Sequence, residues 1–394
     1  MLGFKSSIQR ELDGFFRAAT KSDFNIREVT KSAFSQARQK LAPETFMRLN
    51  QIAVDGFYQN EDFKVWGGYR LVAVDGSRLV LPNHQSVKDE YGVHNLGPNS
   101  DSPRSMATIS ILYDVLNLIT LDAKIAPYSD SESNLLVQHL PNTQEGDLLL
   151  LDRGYPSYWL LFLLTAKKIQ FCVRLKSTWW NQVRNFTQSD EKERIVTFHL
   201  PKKDRKKLDG YPELQDAEIT CRLIKVILPD GSIEVLCTSL LDDKSFPYES
   251  FPVLYHLRWG IEEAYKLLKT RIEIEDFSGK TAIAVKQDFF AKILLMTLSA
   301  VYAYPVEERV REEYKAGQKR KYDQKINRTN SIAANLSISI ALFIRREFER
   351  ALNAFDEIVY NTRELIRPNR NNKRKKRIKP PYPMNNKGLG RCLN

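Results

Sequence analysis

The run Asp147-Leu-Leu-Leu-Leu-Asp152 constrains the fold more than any other segment of the 394-residue chain. Four leucines between two acids show no polar alternation, so they read as a short strand buried on both faces. Such a strand belongs inside a sheet that helices cover on each side. The neighbouring segments agree. Tyr69-Arg-Leu-Val-Ala-Val-Asp-Gly-Ser-Arg-Leu-Val-Leu-Pro, Met106 to Tyr113 and Leu116 to Ala126 read as strands, with Val115-Leu-Asn turning between the last two. Glu132 to Leu140 and Tyr158 to Lys168 read as helices, and Ile169 to Lys176 as another strand. Three strands, helix, strand, helix, strand predicts an α/β core on a mixed sheet.

The flanks break that alternation. Residues 1–65 read as helical and polar, 66–176 as the first part of the core, and 177–245 as a β-rich insertion. Residues 246–300 return to the core with a helical segment, and 301–394 form a helical C-terminal region with a basic tail. Within the first region, residues 26–41 read as two short helices, the second capped by Thr30 or Ser32, with Arg38 and Lys40 on its polar side. This is either a module that docks in a DNA groove or an ordinary amphipathic pair. Arg367 to Lys379 holds eight basic residues and no acidic one. In so basic a chain it reads as a phosphate clamp, with solvated charge as the alternative.

Lysine and arginine number 60 against 48 acids, a net charge of +12. That excess points to a polyanionic partner, nucleic acid first and an anionic membrane second. The longest apolar run, Trp159 to Ala166, falls short of the ~20 uncharged residues a spanning helix needs, and the N-terminus lacks a signal-peptide plan. A cytoplasmic protein without a membrane partner is therefore expected. The four cysteines have no C-x-x-C spacing, which predicts neither a disulfide scaffold nor a zinc site. The five histidines show no metal-ligand spacing.

Two acids stand at predicted strand ends: Asp75 in Val-Ala-Val-Asp-Gly-Ser and Asp152 in Leu-Leu-Leu-Asp-Arg-Gly-Tyr. Taken singly, each reads as turn chemistry. As a pair leaving neighbouring apolar strands they would converge, which is costly unless a cation or proton neutralises them. A third element, Tyr255-His-Leu-Arg-Trp-Gly-Ile-Glu-Glu-Ala-Tyr-Lys-Leu-Leu-Lys, reads as a helix. Spacings of three, four and seven put Tyr255, Arg258, Glu262 and Lys269 on one stripe. An Arg258–Glu262 surface pair is the plain alternative. A carboxylate suits a hard divalent cation, while Arg, Lys and Tyr suit phosphate oxygens.

The signature Tyr-x2-Arg-x3-Glu-x6-Lys, preceded by Asp-Gly-Ser and Asp-Arg-Gly-Tyr, resembles the DDE-type bacterial insertion-sequence transposases of the insertion-sequence-four family, relatives of the transposon-five and transposon-ten enzymes. Leu81-Pro-Asn-His, Glu275-Asp-Phe-Ser-Gly-Lys, Lys286-Gln-Asp-Phe-Phe-Ala and Lys31-Ser-Ala-Phe-Ser-Gln-Ala-Arg extend the likeness over most of the chain. The resemblance implies a ribonuclease-H-like core interrupted by the β-rich insertion. It also implies two Mg²⁺ ions, replaceable by Mn²⁺, held by Asp75, Asp152 and Glu262 as catalytic and metal residues. Tyr255, Arg258 and Lys269 would then bind the DNA backbone. The implied function is cut-and-paste transposition: cleavage at transposon ends through hairpin intermediates, then strand transfer into target DNA. The implied partners are double-stranded terminal repeats, target DNA and a second copy of the chain. Trp179 and Trp180 are candidates to stack a flipped base, against a plain packing role, and Trp259 is read as packing its helix. Rival readings are a ribonuclease-H-like nuclease or resolvase, and a domesticated relative that only binds DNA.

Overall fold

The computed structural model describes residues 7–60, 62–95, 103–317 and 320–367. The basic segment beyond Arg367, and with it the phosphate-clamp reading, lies outside the described residues. Three helices open the chain, α1 (Ile8–Thr20), α2 (Lys31–Gln39) and α3 (Glu44–Asn60). The core begins with β1 (Arg70–Val80), α4 (Gln85–Tyr91), β2 (Met106–Asp114), β3 (Ile119–Pro127) and α5 (Glu132–His139). It continues through β4 (Asp147–Leu151), α6 (Tyr158–Ala166) and β5 (Gln170–Leu175). Then follow α7 (Asn181–Gln188), β6 (Glu193–His199), β7 (Glu218–Ile227) and β8 (Ile233–Thr238). The chain returns to helix in α8 (Ser250–Leu257), α9 (Gly260–Thr270) and α10 (Ala282–Glu313). Beyond lie β9 (Gln324–Lys325), α11 (Arg328–Ser339), α12 (Phe348–Asn361) and β10 (Glu364–Leu365).

One eight-stranded sheet runs in the order β3-β2-β1-β4-β5-β8-β7-β6. β1, β2 and β3 pair antiparallel, whereas β1, β4 and β5 are parallel. This is the mixed sheet of an α/β core that the sequence predicts. The strands between β5 and α8 extend the same sheet, because β8 pairs antiparallel with β5. Every residue of β4 is buried, as its leucine run requires. Alternation sends Leu148 and Leu150 to one face, with Tyr265 and Leu268 of α9 and Phe289 of α10. Leu149 and Leu151 go to the other, with Val54 of α3, Leu136 of α5 and Leu160 of α6. Helices thus cover both faces.

The register of the central parallel pair is fixed by charge as well as by apolar packing. Arg70 and Asp147 lie opposite each other at the starts of β1 and β4. The Arg70 guanidinium donates from Nε and Nη2 to the two Asp147 carboxylate oxygens, at 2.7 and 2.8 Å, and it lies over the Tyr58 ring. Both members are buried. A buried bidentate pair has little tolerance for a slip, and a slip of one residue would turn every side chain to the wrong face.

Two readings of the sequence are corrected here. Residues 26–41 contain a single helix, α2, capped by the Thr30 hydroxyl, which accepts from Ala33 N–H. Arg38 points inward: it donates to Gln287 Oε1, Ser278 Oγ, Ala284 O and Asp288 Oδ1 at 2.5–2.9 Å. Its charge is spent inside the protein on Asp288, which is also buried. Second, α10 has the length and apolar composition of a membrane-crossing helix, although most of its apolar stretch is buried within the protein. A search for an uncharged run misses it, because Lys286, Asp288 and Lys292 interrupt it.

Replacing Arg70 by methionine would leave Asp147 buried without its cation. The expected cost is about 3–5 kcal/mol of unfolding free energy, read from the urea midpoint. A loss below ~1 kcal/mol, typical of a surface pair, would mean that apolar packing alone sets the register.

Candidate active site

Asp75 does not end its strand. β1 continues to Val80 paired with β2, and Asp75 lies opposite Ile111. The parallel pairing with β4 stops at Ala73 and Leu150, while β4 stays paired with β5 through Leu151, so Asp75 sits just past the point where β1 and β4 part. Asp152 follows the last residue of β4. Asp75 lies five residues beyond Arg70, and Asp152 five beyond Asp147, so the buried pair delivers the two acids side by side. They feel each other. Burial, with smaller repulsion from Asp152 and Glu132, pushes the Asp75 carboxyl up to about 6, while Gly76 N–H and Arg258 work against the rise.

The helical motif is broken in two. α8 ends at Leu257 and α9 begins at Gly260. Gly260 lets α9 approach the turn after β2, since a Cβ there would lie 3.3 Å from Val115 Cβ. The motif residues therefore do different things. Tyr255 is buried, with its hydroxyl 3.4 Å from the Leu151 carbonyl, one residue before Asp152. Arg258, also buried, donates from Nη2 to Glu262 Oε1 at 3.0 Å. Burial disfavours its charge, but Tyr255, Glu262 and Asp75 outweigh that and raise its pKa. The guanidinium is thus the positive charge shared between Asp75 and Glu262. Lys269 is exposed and donates to the Arg78 carbonyl near the far end of β1, at 3.2 Å. Trp259 is 54 % exposed, so it does not pack the helix as read from the sequence.

Three further residues belong to this region. Tyr265, one turn beyond Glu262, donates its hydroxyl to the Asp75 carbonyl at 2.7 Å and ties α9 to β1. Tyr155 of the Asp-Arg-Gly-Tyr segment is fully buried, and its hydroxyl has no partner among the described residues. Glu132, the first residue of α5, faces Gly76 and Gly154. In the sequence Glu132 reads only as the first residue of a helix, and nothing in the spacing links it to Asp75.

Among the described residues no three acidic, histidine or cysteine side chains are gathered so as to hold a metal ion. Asp152 Oδ1 accepts from Gly154 N–H, and Glu262 is turned to Arg258. The donor chemistry itself suits a hard divalent cation: carboxylate oxygens throughout, one of them held only partly ionised near pH 6. Away from this cleft, Trp180 stacks on Tyr158 with centroids 3.9 Å apart and meets Phe198 edge-on. Trp179 lies under the Lys176 ammonium.

The family described as transposase DDE domain matches residues 66–298, more than half of the chain. The transposase InsG for insertion sequence element IS4 of Escherichia coli (strain K12) is 25% identical over 275 residues, covering 68% of this chain and 60% of the relative. The putative transposase InsZ of the same organism is 28% identical over 141 residues, covering 35% of this chain and 47% of the relative. The chain thus spans less than two thirds of the length of either relative. A solved piggyBac transposase synaptic complex with hairpin DNA aligns with a TM-score of 0.44 and 13% identity, over 91% of this chain and 78% of that one.

The folded-state pKa of Asp75 lies above that of a free carboxylate. The stability linked to it is therefore full below ~4 and lost as pH rises through about 6. In buffer free of divalent cations, Asp75→Asn should exceed the parent in stability at pH 8 by roughly 1–3 kcal/mol, with no difference near pH 4. A variant less stable than the parent at pH 8 would refute the buried charge.

Proposed function

The chain belongs to the transposase DDE domain family, and from that premise we propose that it is a DNA transposase that cuts the ends of its own element and joins them to target DNA. The observation that carries this reading is the register-matched pair Asp75 and Asp152, with Arg258 lying between Asp75 and Glu262. Asp75, Asp152 and Glu262 would hold Mg²⁺, two ions in the active complex, with Mn²⁺ able to replace it. Bound there, the cations would lower the pKa of the attacking hydroxyl and stabilise the leaving oxygen in an in-line displacement.

The chain's own residues supply the rest. Arg258 is already charged and buried at the carboxylates, so a phosphate entering the cleft meets a preformed donor. Its Nε has no partner among the described residues. Lys269, exposed along the same edge of β1, would bind the next stretch of backbone. The Tyr255 hydroxyl faces Leu151, so its part in phosphate binding would be to fix the end of β4 beside the DNA. The net charge of +12 favours a long double-stranded partner. The finer scheme, cut-and-paste through hairpin intermediates in a dimer that pairs two ends, belongs to the same proposal, as does a cytoplasmic, DNA-associated location. Of the two candidate aromatics, Trp180 is already stacked on Tyr158, whereas among the described residues Trp179 meets only the Lys176 ammonium over its ring, so it is the better platform for a flipped base.

Asp75→Asn, Asp152→Asn and Glu262→Gln should each abolish Mg²⁺-dependent cleavage of labelled end DNA while gel-shift affinity is kept. Cleavage surviving any one change would remove that residue from the centre. On the same gel, joining to a second duplex separates a transposase from a nuclease, and binding without cleavage identifies a relative that only binds.

A further inference from the structure

We infer that Glu132 is a fourth carboxylate of the active centre, which shares the divalent cation with Asp75 and Asp152; the inference rests on the reading of this site as a phosphoryl-transfer centre. It begins from two glycines. Each acid is followed by one, Gly76 directly after Asp75 and Gly154 two residues after Asp152. Neither has a positive φ, so neither is needed for a left-handed turn. Space explains them better. A Cβ on Gly76 would lie 2.5 Å from Glu132 Oε1 and 2.9 Å from its Cδ. A Cβ on Gly154 would lie 3.0 Å from Asp152 Oδ1 and 3.8 Å from Glu132 Oε2. Glu132 Oε1 thus occupies the space that a side chain at position 76 would fill, while Gly154 makes room for Asp152 Oδ1 and leaves Glu132 Oε2 at ordinary contact distance.

Glu132 arrives from the opposite side to Glu262. α5 packs Leu136 into the apolar cluster of Val72, Val74 and Leu149, whereas α9 packs Ile261 and Leu268 into the other. α5 is held rigidly there. Its Ser131 cap accepts from Asn134 N–H. At its far end buried His139 bridges Asp122 Oδ2 at 2.8 Å and Ser110 Oγ at 3.0 Å. An acid in a helix's first turn is ordinarily explained by the helix dipole. That account does not explain why Gly76 clears room for this carboxylate, nor why it lies near two other acids.

A second, independent feature points to a bound group. The Tyr155 side chain is 1 % exposed, and its hydroxyl has no partner among the described residues. Burial raises its pKa, and Glu132, Asp75 and Asp152 are among the charges that add to the rise. A buried hydroxyl donor without an acceptor is costly. An oxygen bound among these carboxylates, from a cation's hydration shell or from a phosphate, would satisfy it.

The test is Mn²⁺ binding to the full chain without DNA, by electron paramagnetic resonance titration, with melting in EDTA to show that each variant folds. Glu132→Gln should weaken Mn²⁺ binding about tenfold or more, and Asp75→Asn should weaken it at least as far. Gly76→Ala leaves Glu132 intact but drives a methyl against it, and should reproduce the loss. Glu263→Gln, an exposed acid on the outer side of α9 paired with Lys266, should bind as the parent does. Parental affinity in both Glu132→Gln and Gly76→Ala, with binding lost in Asp75→Asn, would overturn the inference and leave the proposed function standing. Parental affinity in Asp75→Asn would overturn both.

Discussion

The candidate site depends on one buried ion pair, Arg70 with Asp147. Parallel strands have no hairpin to set their register, so something else must choose among the staggers that apolar side chains alone would tolerate. Here a bidentate contact at the start of both strands does so. Everything five residues downstream inherits that choice. Asp75 and Asp152 stand side by side because their strands are locked at the other end, where Arg70 lies over the Tyr58 ring. The pair need not be net stabilising to matter, since buried ion pairs often recover little beyond their desolvation. Its contribution is to specify one alignment.

The cleft beyond that pair is electrostatically tense. Asp75 is buried near Asp152 and Glu132, and Arg258 is the buried cation that answers them. Arg258 also holds Glu262 away from the other acids. Such an arrangement resists collapse, because full ionisation of the acids is unfavourable in the absence of more positive charge. It is therefore a place where an incoming cation or a phosphate-bearing ligand changes the local balance strongly. Tyr265 and Tyr255 carry backbone contacts that keep β1, β4 and the two motif helices aligned around it.

Much of this was legible in the chain. The leucine run of β4 announced a doubly covered strand, and the order of strands and helices announced the mixed sheet. Asp75, Asp152 and Glu262 were picked out by their contexts. What escaped follows from geometry that spacing does not encode. Asp75-Gly76 looks like a turn, yet the strand runs straight through it, and the glycine serves space rather than curvature. Glu132 reaches the cleft from a helix on the far face, so no linear motif connects it to the other acids. The break at Arg258 and Trp259 splits an apparent single stripe, which is why Tyr255 is buried and Lys269 exposed. Arg38 read as a surface cation because polarity in sequence says nothing about a buried partner 250 residues away.

That Arg38 contact bears on how such a chain could be recombined. Segments from the beginning, Lys31 to Arg38, and from the body, Glu275 to Lys280 and Lys286 to Ala291, meet in one network, with Gln287 also donating to the carbonyls of Arg38 and Leu41. The opening helices are therefore not a detachable reading head. A chimera that took its first sixty or so residues from a relative would import an arginine cut for a different socket, or leave this socket empty. Any exchange of end recognition between such proteins has to transplant the socket on α10 together with the helix that plugs it.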